Sequence, residues 1–149
     1  MRDEAEDLSS SLEFRQNGHL HPALTDPATR TQNAEKLAGR WLNTNRDTKG
    51  VVELDIAFDG DRFTVTAYGA GPEGPIKWPV GVATVFANLE EEAGQRAVAL
   101  AATFDFGFMR SVTYLRVNKG VLVIVLYNTF LDQSGRSNYL TREFFSRLD

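Results

Sequence analysis

The sequence predicts an all-β protein, a single eight-stranded antiparallel up-and-down barrel with a short N-terminal helix. Three observations predict it. From residue 39 onward the chain runs as segments of roughly six to eleven residues, rich in Val, Thr, Phe and Tyr and separated by turn residues. No helical stretch interrupts these segments, so successive strands can pair as hairpins. Segment 121–126 is too apolar to be left as an open sheet edge, and closing the sheet removes its edges.

Before the strands, the chain begins with a polar arm, residues 1–25, which we expect to be flexible because it has no sustained hydrophobic period. A short helix follows. Asp26 is a favoured N-cap residue, Pro27 suits the first helical position, and Gly39 is a natural stop. We therefore assign the barrel domain to residues 26–149, with this helix at its start.

Eight strands then follow with short connections between them. Asp59-Gly60 and the turn that contains Gly120 have residue types that tight hairpins prefer, and Gly107 marks a sharp corner. The fifth strand is apolar on both faces, and its small-residue face predicts a close neighbour, for which a second subunit of a homodimer is a candidate. The predicted strands are 40–44, 51–58, 62–68, 77–87, 96–106, 108–117, 121–130 and 138–147.

Composition excludes several classes of function. The formal charge is −4 and the basic residues are scattered, so we expect no nucleic-acid partner. The chain has no Cys, which excludes disulfides, thiol nucleophiles and Cys-ligated zinc. The acidic start does not resemble a signal peptide, and the longest apolar run, 121–127, is far shorter than the roughly 20 residues of a membrane-spanning helix. We expect a cytoplasmic protein without membrane insertion.

The entry to the first strand carries a family resemblance. Gly39-x-Trp41 before an eight-stranded barrel resembles the calycin superfamily, that is, lipocalins and avidins. The resemblance implies that Trp41 closes the barrel's base and that an Arg of the last strand lies across its ring, with Arg142 as the first candidate and Arg147 as the second. Guanidinium on indole is a favourable cation-π pair. The avidin-like start further implies that Asn43 points into the cavity and binds a ligand. The later tryptophans that enclose biotin have no counterpart, so we do not predict biotin binding.

Candidate catalytic residues lie on the fifth and sixth predicted strands. Asp105 ends an apolar strand, where burial would suit it to acid–base chemistry, although a turn residue bonded to its own backbone is the alternative. Arg110 and Tyr114 share one face of the next strand. If that face points inward, they can polarise a carbonyl or bind a carboxylate, and if it points outward, Arg110 is solvated.

Candidate ligand-binding residues are aromatic side chains and Asn43. Tyrosines combine an apolar ring with a polar tip, the combination that a cavity for a mostly apolar ligand would use. Asn128 faces the opposite way from Tyr127, so at most one of these two residues lines the lumen at that level. Apart from Asn43, the predicted ligand-binding residues are Tyr68, Trp78, Tyr127 and Tyr139.

Two further sequence patterns resemble a cofactor site and a metal site, but we predict neither a cofactor nor a metal. Residues 69–74 match the dinucleotide-binding pattern G-x-G-x-x-G, but they lead into a strand rather than the helix that would hold a pyrophosphate. A flexible loop at the barrel's mouth is the better interpretation. His19 and His21 share a face of an extended arm, yet no third ligand accompanies them, so a metal site is not predicted.

The function we predict is binding of a small, largely apolar molecule in the cavity, as a carrier. One alternative is a cofactor-independent cyclase or isomerase of a biosynthetic pathway, because holding a flexible substrate in a reactive conformation can lower a barrier by about 7 to 11 kcal/mol. Another is a structural or protein-binding barrel with a filled core. A cavity of roughly 300 Å³ or more would keep both ligand hypotheses, the carrier and the enzyme. A lumen packed solid by phenylalanines would exclude both, and the residues that could fill it are Phe63, Phe86, Phe104 and Phe144.

Overall fold

Nine β-strands form the described part of the protein. The structure is a computed structural model and describes residues 36–60, 62–87 and 97–148. The strands are β1 Gly39–Asn43, β2 Val51–Phe58, β3 Phe63–Gly69, β4 Ile76–Lys77, β5 Gly81–Ala87, β6 Ala97–Asp105, β7 Met109–Asn118, β8 Val121–Phe130 and β9 Tyr139–Arg147.

Eight of these strands close into an antiparallel barrel. Apart from β4, each strand pairs with the next along the chain, and β1 pairs with β9 to complete the circle. The short β4 pairs with the end of β3. These pairings confirm the predicted eight-stranded up-and-down barrel. The strand predicted over residues 77–87 is interrupted at Pro79, which has no N–H to donate to a sheet ladder, and β5 begins two residues later.

The turns agree with the sequence in part. Lys119 and Gly120 have φ of 51° and 80° and lie between the paired residues Asn118 and Val121, so a two-residue hairpin is confirmed there. Gly107 has φ of 85° at the predicted corner between β6 and β7.

The turn after β2 is longer than Asp59-Gly60 predicts. Phe58 pairs with Phe63, which leaves four residues in the loop. Gly60 has a positive φ of 94°, and Asp59 instead accepts a hydrogen bond at Oδ1 from the backbone N–H of Arg62 at 2.9 Å. The side chain of Asp59 therefore organises a wider turn.

Trp41 seals one end of the barrel. Its side chain is 1% exposed, and its indole Nε1 donates a hydrogen bond to the carbonyl of Leu37 at 2.9 Å. The guanidinium carbon of Arg147 lies 4.4 Å from the centre of the Trp41 ring. Arg147 also donates hydrogen bonds to the carbonyls of Ala38 and Lys36, the latter at 2.8 Å. The last strand is thereby tied to the segment that precedes the first.

The expectation that Arg142 covers Trp41 is wrong. Trp41 pairs with Arg147 across the β1–β9 ladder, whereas Arg142 is exposed on the outer face, with its guanidinium carbon 5.5 Å from the ring of Phe144. Gly39 fits this arrangement, because a Cβ there would lie 2.6 Å from a guanidinium nitrogen of Arg147, and its φ of 134° disfavours any other residue.

The helix expected after Asp26 and the polar arm lie outside the described residues, except for Lys36 and Leu37, which form a turn. No helix in the described ranges has the length and the apolar character needed to cross a bilayer.

Candidate ligand site at the mouth of the barrel

The barrel interior is filled near Trp41 and opens at the opposite end. Phe63, Phe104 and Phe145 are at most 3% exposed and occupy the lumen together with aliphatic residues. The other two phenylalanines expected inside are not there. Phe86 and Phe144 are 48% and 42% exposed on the outer surface. Phe144 alternates with the buried Phe145, and Phe86 lies in a stretch of β5 in which residues 84–86 are all exposed.

A cavity of about 140 Å³ lies at the open end, which we call the mouth. It is bordered by the strand ends and loops farthest from Trp41, including residues 49–51 before and at the start of β2 and Tyr139 at the start of β9. Its volume is below the roughly 300 Å³ of typical ligand pockets. A cavity of about 150 Å³ in an engineered protein binds benzene, so the mouth cavity is the size of a single ring or a short head group.

One wall of the mouth cavity is aromatic and consists of Trp78. The backbone N–H of Trp78 donates a hydrogen bond to the carbonyl of Ala67 at 2.8 Å, which holds the indole across β3. A Cβ at Gly69 would lie 2.5 Å from the indole nitrogen, so only glycine lets the ring approach the strand this closely. The ring packs edge-to-face on Phe104 and Phe106, at centroid distances of 5.4 and 4.9 Å.

Another part of the cavity lining is polar and is centred on Glu143. Its carboxylate accepts hydrogen bonds from the side-chain amide of Asn43 at 3.1 Å, the hydroxyl of Thr48, and the backbone N–H of Val51 at 3.2 Å. These donors compensate for taking the carboxylate partly out of water. They also attach the loop between β1 and β2 to β9, which fixes one side of the mouth.

Asn128 adds a second polar group to this wall. Its side chain is 5% exposed, and its Oδ1 atom is buried without a hydrogen-bond partner among the described residues. Ser111 lies opposite on β7, but its hydroxyl is hydrogen-bonded to that of Thr113 at 3.1 Å. A buried acceptor without a partner is costly.

Of the predicted ligand-binding residues, Trp78 and Tyr139 line the mouth cavity. Asn43 is 3% exposed and points inward, but its polar atoms serve the loop after β1. Its amide N–H donates to the carbonyl of Val51 at 2.8 Å, and its Oδ1 accepts from the backbone of Asn45 at 2.8 Å. Asn43 therefore stabilises the loop beside the mouth and does not line the cavity.

Tyr68 and Tyr127, also predicted to bind a ligand, lie outside the lumen. Tyr127 is 48% exposed on β8, and its inward neighbour Asn128 takes the lumen position at that level. Tyr68 follows the inward Ala67 on β3 and is half-buried on the outer wall. A contact between either tyrosine and a molecule inside the barrel is excluded by this alternation.

The three candidate catalytic residues are also on the outer surface. The Asp105 carboxylate accepts a hydrogen bond from the backbone of Gly107 at 2.8 Å, as the turn alternative predicts, and lies 3.9 Å from the guanidinium of Arg110. Tyr114 is 49% exposed and packs edge-to-face on Tyr127. Of the two alternatives for Arg110 and Tyr114, the outward one is found, because the inward face of β7 carries Ser111, Thr113 and Leu115.

The sequence offers no clear signal for the two missed residues Thr141 and Glu143. They alternate with Phe145, but its neighbour Phe144 is equally large, and alternation alone does not say which of the two phenylalanines faces inward. Within the three described ranges, no three His, Cys, Asp or Glu side chains are close enough to share a metal ion.

In comparisons with known proteins, no family model, curated protein or solved structure matches the chain. The function must therefore be argued from the mouth cavity itself.

Proposed function

We propose that the protein is a small-molecule-binding barrel that takes the head group of a largely apolar ligand into its mouth cavity. The observation that carries this proposal is the contrast within the lumen. The sealed half is filled by buried side chains, whereas the mouth keeps a cavity of about 140 Å³ with one aromatic and one polar wall. A barrel that served only as a rigid support would have no need of this division.

Aromatic residues around the opening supply contacts for the rest of such a ligand. We call Phe106, Phe108, Phe130 and Tyr139 the aromatic rim. Phe106 lies 6.2 Å from Phe108, and Phe130 lies 6.0 Å from Tyr139, between ring centroids. Phe108 and Tyr139 are about half exposed, so their rings are available to an apolar body that extends out of the cavity.

The same geometry favours a carrier over the two alternatives. A cavity the size of one ring leaves little room to fold a flexible substrate, as a cyclase would need to do. A structural barrel with a filled core accounts for the sealed half but not for the mouth. The relationship to calycins remains part of this proposal, and the stacking of Arg147 on Trp41 supports it.

Native mass spectrometry of protein purified from its source cell tests the proposal. We expect a retained small molecule on the wild type and its loss from Thr141→Phe, which fills the cavity. Thr66→Phe is the matched control, because Thr66 lies on the outer face of β3. The absence of any bound molecule from both proteins, together with no stabilisation by added apolar ligands, would favour the filled-core alternative.

A further inference from the structure

We infer that the head group bound in the mouth cavity is a small organic cation, an alkylammonium-type group with N–H donors. This inference rests on the proposed function and names the chemical class of its ligand. It is carried by the carboxylate of Glu143 at the cavity and by the aromatic side chains that share the cavity lining.

Glu143 is one of the residues that border the cavity. Within the described part of the chain its three hydrogen-bond donors, from Asn43, Thr48 and the backbone of Val51, are neutral groups. Among the described residues no Lys or Arg forms an ion pair with it, although Lys49 also borders the cavity with an exposed side chain. Two carboxylate oxygens offer about four acceptor positions, so three donors leave capacity for another.

Asn128 is a second polar residue of the cavity lining, but its Oδ1 is covered by protein and does not contact a bound head group. The register of β8 and β9 pairs Asn128 with Tyr139 and Glu143 with Ile124, which is four residues away along β8. The carboxylate of Glu143 is therefore the acceptor that selects the head group. An ammonium has three donors and no acceptor, so it matches the remaining acceptor capacity of that carboxylate.

The aromatic wall suits the same head group. A cation over the face of an indole is attracted by the ring's quadrupole, most strongly where water is excluded. Trp78, Tyr139 and Glu143 all line a cavity only large enough for a short head group, so a cation held by the carboxylate lies close to aromatic rings. An anionic head group would meet the charge of Glu143 instead, so the site discriminates by the sign of the ligand's charge.

A matched set of probes tests the sign of the charge. n-Butylammonium, n-butanol and n-butyrate share a chain that fits the cavity and differ in carrying a positive, zero or negative charge. Binding is followed by NMR titration of the Trp78 indole N–H signal. We expect n-butylammonium to bind about tenfold or more tightly than n-butanol, because charge-assisted hydrogen bonds are the stronger ones, and we expect n-butyrate not to bind.

Two variants locate the effect. Glu143→Gln keeps an acceptor for the loop after β1 and should reduce n-butylammonium binding to the level of n-butanol, while Asp55→Asn, on the outer wall, should leave it unchanged. Should Glu143→Gln fail to fold, Lys49→Met provides an independent measure, since removing a competing cation should tighten n-butylammonium binding.

The outcomes separate this inference from the proposed function. Equal binding of all three probes, or a preference that survives Glu143→Gln, would show that the cavity takes ligands but does not select cations. Failure of all three probes to shift the Trp78 signal would overturn the inference and the proposed function together. A neutral or anionic molecule retained from the source cell would overturn the inference alone.

Discussion

Arg147 connects the two ends of the described chain through its guanidinium group. It stacks on Trp41 at 4.4 Å and donates hydrogen bonds to two carbonyls of the segment before β1. A cation-π contact is worth about 0.5 to 2 kcal/mol, depending on how far water is excluded. The hydrogen bonds also leave Trp41 with a fixed position at the sealed end.

Arg147→Ala should therefore destabilise the barrel. We expect the free energy of unfolding to fall by about 2 kcal/mol, since both the stacking and the hydrogen bonds are lost. Arg142→Ala is the matched control and should change stability by less than about 0.5 kcal/mol, as exposed residues without buried partners usually do. Urea unfolding followed by the fluorescence of Trp41 measures both. Equal losses in the two variants would contradict the role assigned to Arg147.

For individual residues, the type of side chain at the sealed end was more predictable than its position in the sequence. The resemblance to calycins implies that Trp41 closes the base and that an Arg of the last strand covers it, but the register of β9 against β1 decides which Arg it is. Two strands this far apart in the chain have no turn to fix their register, so it depends on packing. Arg142 and Arg147 alternate onto opposite faces, and only the ladder shows that Arg147 faces Trp41.

Among the elements, the segment that connects β3 to β5 shapes the mouth. Trp78 lies across Gly69, where a Cβ would be 2.5 Å from the indole nitrogen. The sequence predicts one continuous strand here, because residues around Pro79 are apolar or β-branched. The missing N–H of Pro79 interrupts the ladder instead, and the interruption allows Trp78 to turn over the lumen.

Gly69→Ala should displace Trp78 and open the mouth. We expect the tryptophan emission to shift to longer wavelength, because Trp78 becomes solvated while Trp41 stays buried, and we expect ligand binding to weaken. Thr66→Val, which alters the outer face of the same strand, should leave the spectrum unchanged. An unchanged spectrum in Gly69→Ala would mean that the indole does not rest on this glycine.

The loop between β8 and β9 is held by charge and aromatic contacts. Asp132 and Arg136 form an ion pair at 2.6 Å, and the guanidinium carbon of Arg136 lies 4.1 Å from the ring centre of Phe130. Hydrogen bonding from Ser134, and then from Arg136, lowers the pKa of Asp132 below its ordinary value of 3.8. The ionised carboxylate is thus the form that orders this side of the aromatic rim.

Acidification should release this loop. Because the folded-state pKa of Asp132 is depressed, its contribution is fully present above pH 3.8 and is lost as the pH falls below that value through the folded-state pKa. We expect the amide signals of Ser134 and Arg136 to shift in NMR spectra as the pH is lowered below 3.8 and this carboxylate takes up its proton. Asp132→Asn should remove the transition. The same transition in that variant would assign it to another group.

Over the whole molecule, the outer surface of the barrel has two unlike sides. The wall of β1 to β3 carries polar groups, including the ion pair of Arg40 with Glu53. On the wall formed by β6 to β9, the side chains of Tyr114, Tyr127 and Leu140 are about half exposed. A groove of about 690 Å³ lies beside them. Exposed apolar patches of this kind are typical of protein contact surfaces. The homodimer expected from the sequence would use this side.

Tyr127→Glu tests that expectation. We expect a second copy of the chain to pack on the outer face of β6 to β9, and a carboxylate in the middle of this face should convert a dimer to a monomer. Light scattering coupled to size-exclusion chromatography measures the mass across protein concentrations. Tyr68→Glu, on the polar wall, is the control. A monomeric mass for the wild type at all concentrations would refute the homodimer.

The closed barrel was predictable because apolar segments with turn residues between them leave few arrangements without an exposed edge. The mouth cavity was not. Its existence depends on how the volumes of Phe104, Trp78 and Leu126 add up in three dimensions, and alternation along a strand gives a side chain's direction but not the space left beside it. Phe86 and Phe144 show the same limit, since the identity of a residue does not determine its face.

The seam between β1 and β9 also bears on how quickly the protein can fold. It consists of three residue pairs, Trp41 with Arg147, Leu42 with Ser146 and Asn43 with Phe145. Arg147 and its partner Lys36 are 111 positions apart, so the chain must search a large conformational space before this seam forms. Until it does, apolar strand edges stay open to other molecules. We expect closure of this short seam to limit the rate of refolding, and crowded, partly folded chains to aggregate at that stage.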